Sequence, residues 1–351
     1  MRIAVVIPFR EEWTFLGGLL RSICQQTRPP DEIVFVMDGG RPEDAARLAK
    51  EARAGCSDRL QTRLRVLQQP WAGPAAARNR GASESTAEAI VFLEADGEYS
   101  ANYLERAQGS LAHAAVGAVS PELRVPQLTG LGWTARYQRA RWTGIALLTR
   151  AHRRPVLGGW GFRREVFERV GGYDEGLRVG EDRDLVERVR SLGLKIVVAR
   201  RTFYRHPEPS TLTAMCVKAF RRARQATLFY QLHRPAVYVA ARALSVAVLA
   251  LGTLLGVVTA VRQSAWPLFI GGTGLVAVLL ATVGRAWCDP VVVAGARAER
   301  RNSSSRSARI VFASARALEQ MATIAGAAWG SLVGRSSDTR LSRARGITLR
   351  L

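Results

Sequence analysis

The sequence predicts an α/β domain on a mostly parallel, Rossmann-like sheet, followed by a C-terminal transmembrane helical hairpin and an amphipathic helix. Three patterns predict it. Apolar β-branched runs alternate with helical spacing over the first 200 residues. Two uncharged apolar runs follow later in the chain. The charge is also unevenly divided: residues 1–199 hold 29 basic and 24 acidic side chains, net +5, whereas residues 200–351 hold 22 and 5, net +17.

The elements follow in order. Residues 3–8 (IAVVIP) read as a buried strand, and residues 12–26 as a helix with Phe15, Leu19, Leu20 and Ile23 on one face. Residues 32–37 (EIVFVM) form a second strand and 42–53 a helix. Residues 64–67 form a short third strand, 74–85 an Ala-rich helix, 89–93 a fourth strand and 101–113 a helix. A βαβ series of this kind implies a parallel sheet with helices on both faces. Further on, residues 181–192 read as a helix, 195–198 as a strand and 210–234 as an amphipathic connector.

Composition narrows the class. A chain of 351 residues with 48 % apolar content buries a sizeable core, which excludes a disordered chain. Four scattered Cys without a CxxC exclude a disulfide scaffold and a thiolate zinc site. The four His form no HExxH. No GxGxxG or GxxxxGK[ST] follows any strand, which argues against a dinucleotide fold and a P-loop.

Ligands on open α/β sheets sit at the carboxyl ends of the strands. The residues there are Pro8, Arg10 and Glu11 after strand one, Asp38 after strand two, and Glu94 and Asp96 after strand four. Two carboxylates at one strand end suit a hard divalent cation, although such pairs also occur in plain turns. A second acidic cluster, Glu181-Asp182-Arg183-Asp184, opens a helix, where acids also favour the helix dipole. Upstream lie the Gly-rich stretches Gly158-Gly159-Trp160-Gly161 and Gly171-Gly172-Tyr173, either turns or close approaches to a ligand.

The apolar runs at 243–261 and 265–284 are each long enough to span a bilayer, and only Arg262-Gln263-Ser264 separates them. Arg residues flank the pair on both outer sides, so the positive-inside rule places both ends in the cytoplasm. The expected location is the inner membrane, multi-pass, with the large domain cytoplasmic. Residues 310–333 carry Arg316 and Glu319 within an apolar stretch and read as an interfacial helix, with a third span as the alternative.

In this order the motifs resemble the family 2 glycosyltransferases, over roughly residues 1–206. The matching pieces are Val5-Val6-Ile7-Pro8, Asp38-Gly39, the run from Gly73 through Arg78-Asn79 to Gly81, Glu94-Ala95-Asp96, Gly158-Gly159, Gly171-Gly172-Tyr173-Asp174-Glu175 and Glu181-Asp182-x-Asp184-Leu185. The resemblance implies a GT-A fold and an inverting enzyme using a nucleotide-sugar, with Mg²⁺ or Mn²⁺. It implies Asp38 at the nucleotide base, Arg78 and Asn79 by the nucleotide, Glu94 and Asp96 on the metal and diphosphate, and Asp182 as base. Gly158, Gly159, Trp160 and Glu181 are expected at the substrate, and His206 at the metal or diphosphate, or in a structural role. A helix start is expected to keep Asp182 ionised near neutrality. The chain departs from the family in Met37 before Asp38, in Glu94 as first acid, and in lacking a QxxRW signature.

The domain limits expected are 1–206 for the transferase, 207–242 for the connector, 243–284 for two spans and 285–351 for a basic cytoplasmic segment. The expected partners are a nucleotide-sugar donor, a lipid-linked saccharide or polyprenyl phosphate acceptor, and the membrane, with no nucleic acid. The competing readings are a membrane-associated nucleotidyltransferase and a non-enzymatic basic protein that binds anionic lipid or nucleic acid.

Overall fold

The structure is a computed structural model and describes residues 1–55, 63–124, 132–151, 158–209, 211–233, 236, 239, 315–316 and 318–325. Six of the seven residues of β1 (Ile3–Phe9) are buried. The strand lies between β2 (Glu32–Asp38) and β4 (Ala89–Phe92), parallel to both, and β3 (Leu64–Gln69) pairs parallel to β2. Continuous apolar sequence is what a strand covered on both faces requires.

Alternation along these strands builds two cores. Ile3, Val5 and Ile7 face one side, with Leu16, Leu19 and Ile23 of α1 (Trp13–Cys24), Leu48 of α2 (Pro42–Ala54) and Leu104 of α4 (Tyr103–Leu111). Val6, Val34 and Val36 face the other side. There they meet Ala75 and Ala77 of α3 (Pro74–Ser83), Phe167 of α6 (Arg164–Arg169) and Leu185 of α7 (Glu181–Ser191). Each fully buried Val, Leu or Ile contributes about 1.5–3 kcal/mol. The small residues of α3 let it lie close on the sheet: a Cβ on Gly81 would stand 2.4 Å from Val6 Cγ1.

The sheet has eight strands in the order β3-β2-β1-β4-β7-β6-β8-β5. Only its first half matches the expected parallel series. Three elements were not legible beforehand: β5 (Glu98–Tyr99), β6 (Val116–Leu123) and β7 (Gly161–Arg163). Strand β7 runs antiparallel to both β4 and β6, so the sheet is mixed. Strand β8 (Lys195–Arg205) extends well beyond the expected 195–198, pairs parallel with β6 and carries β5 on its other edge. Helix α5 (Trp133–Ala151) was also unforeseen.

Two compact units divide the chain, and the sheet with its flanking helices lies in the unit that includes residues 1–175 and 180–212. The connector forms α8 (Leu212–Gln225) and α9 (Thr227–His233), with Met215 and Phe229 buried. The expected hairpin at 243–284 lies outside the described residues. Among the described residues no helix is long and apolar enough to cross a membrane. Of the expected interfacial helix, residues 315–316 and 318–325 are described and helical. The two charges that made it unusual, Arg316 and Glu319, pair with each other at 2.9 Å.

Candidate active site

Helix α3 starts after Gly73, whose φ of 103° only glycine adopts readily. The helix carries Arg78 inward, to 3 % exposure. Arg78 Nη2 donates to Glu94 Oε1 and Oε2 at 2.8 and 3.1 Å, and Nη1 donates to Glu181 Oε1 at 3.1 Å. The guanidinium also lies 5.1 Å from the Tyr173 ring centroid. A buried guanidinium is tolerated only when paired. Arg78 thereby ties the end of β4 to the start of α7. Burial opposes its charge, but Glu94 and then Asp182 hold it, and its pKa lies well above the ordinary arginine value.

Asp182 sits in the first turn of α7, after Gly180 in the left-handed region (φ 92°). Its pKa is pushed up to about 7. Burial is the main cause; Arg78 opposes it, while Glu181 and Glu94 add to it. This corrects the expectation of a carboxylate kept ionised by the helix start. Desolvation among other acids outweighs the dipole. The Tyr173 hydroxyl lowers the value slightly, although it is buried without hydrogen-bond geometry to any partner. Asp184, the alternative base, is 5 % exposed and held by Arg188 Nε at 2.8 Å, so it braces its own helix.

The opposite side of the site is aromatic. Tyr103, Tyr99, Tyr204 and His206 stack in a row, with centroid spacings of 5.8, 5.2 and 5.5 Å. The Tyr99 hydroxyl accepts the Glu94 backbone N–H at 2.9 Å. A Cβ on Gly97 or Gly158 would come 2.9 Å from the Tyr204 ring, and one on Gly159 2.7 Å from Tyr99. These glycines therefore allow the loops to pack closely on the tyrosines. Trp160 is 1 % exposed, in the core beside Phe162, with its indole N–H buried and unpartnered. It is a packing residue rather than a substrate contact.

Burial first, then Glu94 and Asp96, raises the pKa of Tyr204, which places both carboxylates in its field. His206 stacks on that same ring and meets Trp142 edge-on at 5.1 Å. Its Nδ1 lies 2.9 Å from the Pro207 carbonyl, which only accepts, so Nδ1 carries a proton, and Glu208 Oε1 stands 3.6 Å from the same nitrogen. Asp96 and His206 both border Tyr204, the first through its field and the second by stacking, and a carboxylate and an imidazole are donors that a divalent ion can take. Glu94 does not fit as placed, because Arg78 engages both of its oxygens. Among the described residues no group of three or more His, Cys, Asp or Glu is assembled around a metal position.

The remaining expected residues divide between structure and rim. Asp38 is 5 % exposed and accepts from Gln69 Nε2 (2.9 Å), Ala72 N (2.8 Å) and Gly73 N (2.8 Å), so it orders the loop before α3. Asn79 accepts from Tyr173 N and donates to the Tyr173 carbonyl and Glu175, each at 2.9 Å. Its amide serves that loop instead of a nucleotide. Pro8 lies within β1, partly buried. Arg10 and Glu11 are exposed on the rim. Glu12, which the sequence did not single out, accepts both of their backbone N–H groups at 2.7 and 3.0 Å. An acid one residue before a helix was the available signal.

Residues 4–171 match the family model described as Glycosyl transferase family 2. The chain is 27 % identical to the O-antigen biosynthesis protein RfbC of Myxococcus xanthus, over 61 % of this chain and 18 % of that protein. It is 24 % identical to glycosyltransferase AglE of Haloferax volcanii, over 58 % of this chain and 66 % of that one. It is 29 % identical to the pre-mycofactocin glycosyltransferase of Mycobacterium tuberculosis, over 55 % and 40 % respectively. The chain thus spans less than two thirds of each of these relatives. Glu181, Asp182 and His206 lie beyond the matched segment, on α7 and just after β8. Over residues 4–171, just under half of the chain, the sequence is thus similar to the family 2 glycosyltransferases, and the strand-end acids Asp38, Glu94 and Asp96 lie within that stretch.

Proposed function

We propose that this chain is an inverting glycosyltransferase of GT-A type. It moves a sugar from a nucleotide-sugar, a UDP-sugar in the first instance, to a membrane-associated acceptor on the cytoplasmic face of the inner membrane. The acceptor class is a lipid-linked saccharide or polyprenyl phosphate. The observation that carries the reading is Asp182: a carboxylate pushed up to about 7, one guanidinium away from the acid that ends β4. A base with a pKa near the working pH is matched to removing a proton in the transition state.

For a saccharide acceptor, the hydroxyl oxygen attacks the anomeric carbon. The bond from that carbon to the diphosphate oxygen breaks, and the nucleoside diphosphate leaves with the electron pair. Asp182 takes the hydroxyl proton. One in-line displacement inverts the anomeric centre. Arg78 holds Glu94 and Glu181, the neighbour of Asp182, by hydrogen bonds, and its charge restrains the rise in the pKa of Asp182. Asp96 and His206 would hold Mg²⁺ or Mn²⁺, which when bound neutralises charge on the diphosphate.

The uncharged runs at 243–284 and the net +17 of residues 200–351 support a membrane-bound acceptor. The part that RfbC takes in O-antigen biosynthesis supports a cell-envelope saccharide. The test is transfer of radiolabelled sugar from UDP-, GDP- and dTDP-sugars to membrane extracts, with Asp182→Asn alongside. The variant is expected to lose roughly 10²–10⁴-fold in turnover at nearly unchanged donor affinity. Normal turnover by Asp182→Asn would move the base elsewhere.

A further inference from the structure

Tyr173 follows the Gly171-Gly172 turn and is buried. Packing accounts for its ring, which meets Phe92 edge-on at 5.1 Å and Phe167 at 5.9 Å. Packing does not account for its hydroxyl. That oxygen is buried, and among the described residues no group meets it in hydrogen-bond geometry. A phenylalanine would fill the same volume without stranding a polar atom. The residue is nevertheless held closely. Asn79 accepts the Tyr173 N–H and donates to the Tyr173 carbonyl, each at 2.9 Å. Gly172, at φ 68°, lies so near that a Cβ there would stand 2.7 Å from Asn79 Oδ1. The Arg78 guanidinium lies over the ring, 5.1 Å from its centroid. The same guanidinium donates to Glu181, the neighbour of Asp182 at the start of α7. The Tyr173 hydroxyl and the Asp182 carboxylate border each other there.

Asp182 has use for a donor at that place. Arg78 hydrogen-bonds Glu94 and Glu181 and acts on Asp182 through its charge. Glu181 and Glu94 face Asp182 with charge of its own sign, and Tyr204 of β8 lies in its field. A buried carboxylate oxygen without a donor disfavours the ionised form and leaves the group free to turn. We propose that Tyr173 is a positioning residue for Asp182: its O–H donates to one carboxylate oxygen when donor and acceptor are bound and leaves the other oxygen aimed at the acceptor hydroxyl. The inference rests on Asp182 as the base and adds to it the residue that orients it. Catalytic hydrogen bonds are often poorly aligned in a free enzyme and tighten in the complex with substrate. Burial first, then the charge of Asp182, raises the pKa of Tyr173 well above the ordinary phenol value. The phenol therefore stays protonated and serves as a donor, and takes no proton itself.

The experiment measures kcat, donor KM and thermal midpoint on the full chain for wild type, Tyr173→Phe, Asp182→Asn and the double variant. Tyr173→Phe keeps the ring and its packing. It is expected to lower kcat roughly 10- to 100-fold, the size of one hydrogen bond to a charged group. Donor KM should stay unchanged, and the thermal midpoint should stay level or rise, because a stranded hydroxyl has been removed. In the Asp182→Asn background the same change should cause no further loss, since residues that act as a unit are not additive. Normal kcat in Tyr173→Phe overturns the proposal. A loss of the same factor in the Asp182→Asn background overturns it too, because the hydroxyl would then act through another group. A raised donor KM at normal kcat would overturn it in favour of a contact to the donor. Normal turnover by Asp182→Asn removes the base itself and this inference with it, whereas an impaired Asp182→Asn beside an unaffected Tyr173→Phe removes this inference alone.

Discussion

The two sides of the site are built from different physics. On one side a single buried cation, Arg78, holds Glu94 and Glu181 by hydrogen bonds of 2.8–3.1 Å, with Asp182 in its field. On the other, three tyrosines and His206 stack, and glycines at 97, 158 and 159 let the loops close on the rings. The charged side positions groups and tunes their protonation together, so it responds to pH. The three tyrosines position groups by packing, which pH between 4 and 9 leaves untouched: burial raises the pKa values of Tyr99, Tyr103 and Tyr204 still further above that range. Glu94 belongs to both, through Arg78 at its carboxylate and Tyr99 at its backbone N–H.

Removing the cation breaks the comparison most severely. Arg78→Met keeps bulk and helix propensity but strands the acids that Arg78 had paired. Breaking a buried pair by deleting one partner costs about 3–5 kcal/mol. Chemical denaturation is expected to show a loss of that size, and the deficit should shrink at pH 4–5, where the stranded acids protonate. A pH-independent deficit would mean that Arg78 acts through packing alone.

Asp182 sharpens the contrast. Its folded pKa lies above its ordinary 3.8, at about 7, so the native state keeps a proton that the unfolded chain has released. Stability therefore falls as pH rises from about 4 to about 7. Activity moves the other way, because the base works only when ionised, and turnover should rise through a midpoint near 7. Asp182→Asn is expected to raise the thermal midpoint at pH 8 and to leave it unchanged at pH 4. A wild-type rate already level between pH 5 and 8 would show that the carboxylate is ionised throughout.

The same contrast explains what the sequence disclosed. The parallel half was legible because β1, β2 and β4 are unbroken apolar runs, and helices between them repeat at 3.6 residues. The antiparallel insert was not: β7 is only three residues long, and β6 contains Gly117 and Pro121. Motif order singled out Arg78, Glu94, Glu181 and Asp182, which do come together. It did not disclose that Arg78 would pair with Glu94, since a contact between residues on α3 and β4 depends on how α3 seats on the sheet through Gly81. It also could not show that Asp38 and Asn79 serve loops, because a carboxylate or amide that binds a ligand and one that binds backbone N–H groups look identical as letters. The aromatic side was missed because Tyr99, Tyr103 and Tyr204 share no motif, and only the pairing of β5 with β8 stacks Tyr99 against Tyr204.

The gentlest test falls where the two sides meet. Tyr99→Phe keeps the ring, and with it the stacking on Tyr103 and Tyr204, and removes one oxygen. That oxygen accepts the Glu94 N–H at 2.9 Å. Losing one hydrogen bond of this kind costs about 1–1.5 kcal/mol, less than either change on the charged side. The stability loss should be equal at pH 5 and pH 8, because no ionisation in that range is involved. If backbone support sets where the Glu94–Asp96 turn sits, Mn²⁺ affinity measured by electron paramagnetic resonance should fall together with stability. A Tyr99→Phe protein of reduced stability but unaltered Mn²⁺ affinity would confine the tyrosine row to holding the fold. In that case the ion pairs of Arg78 would be left as the positioning device for the turn.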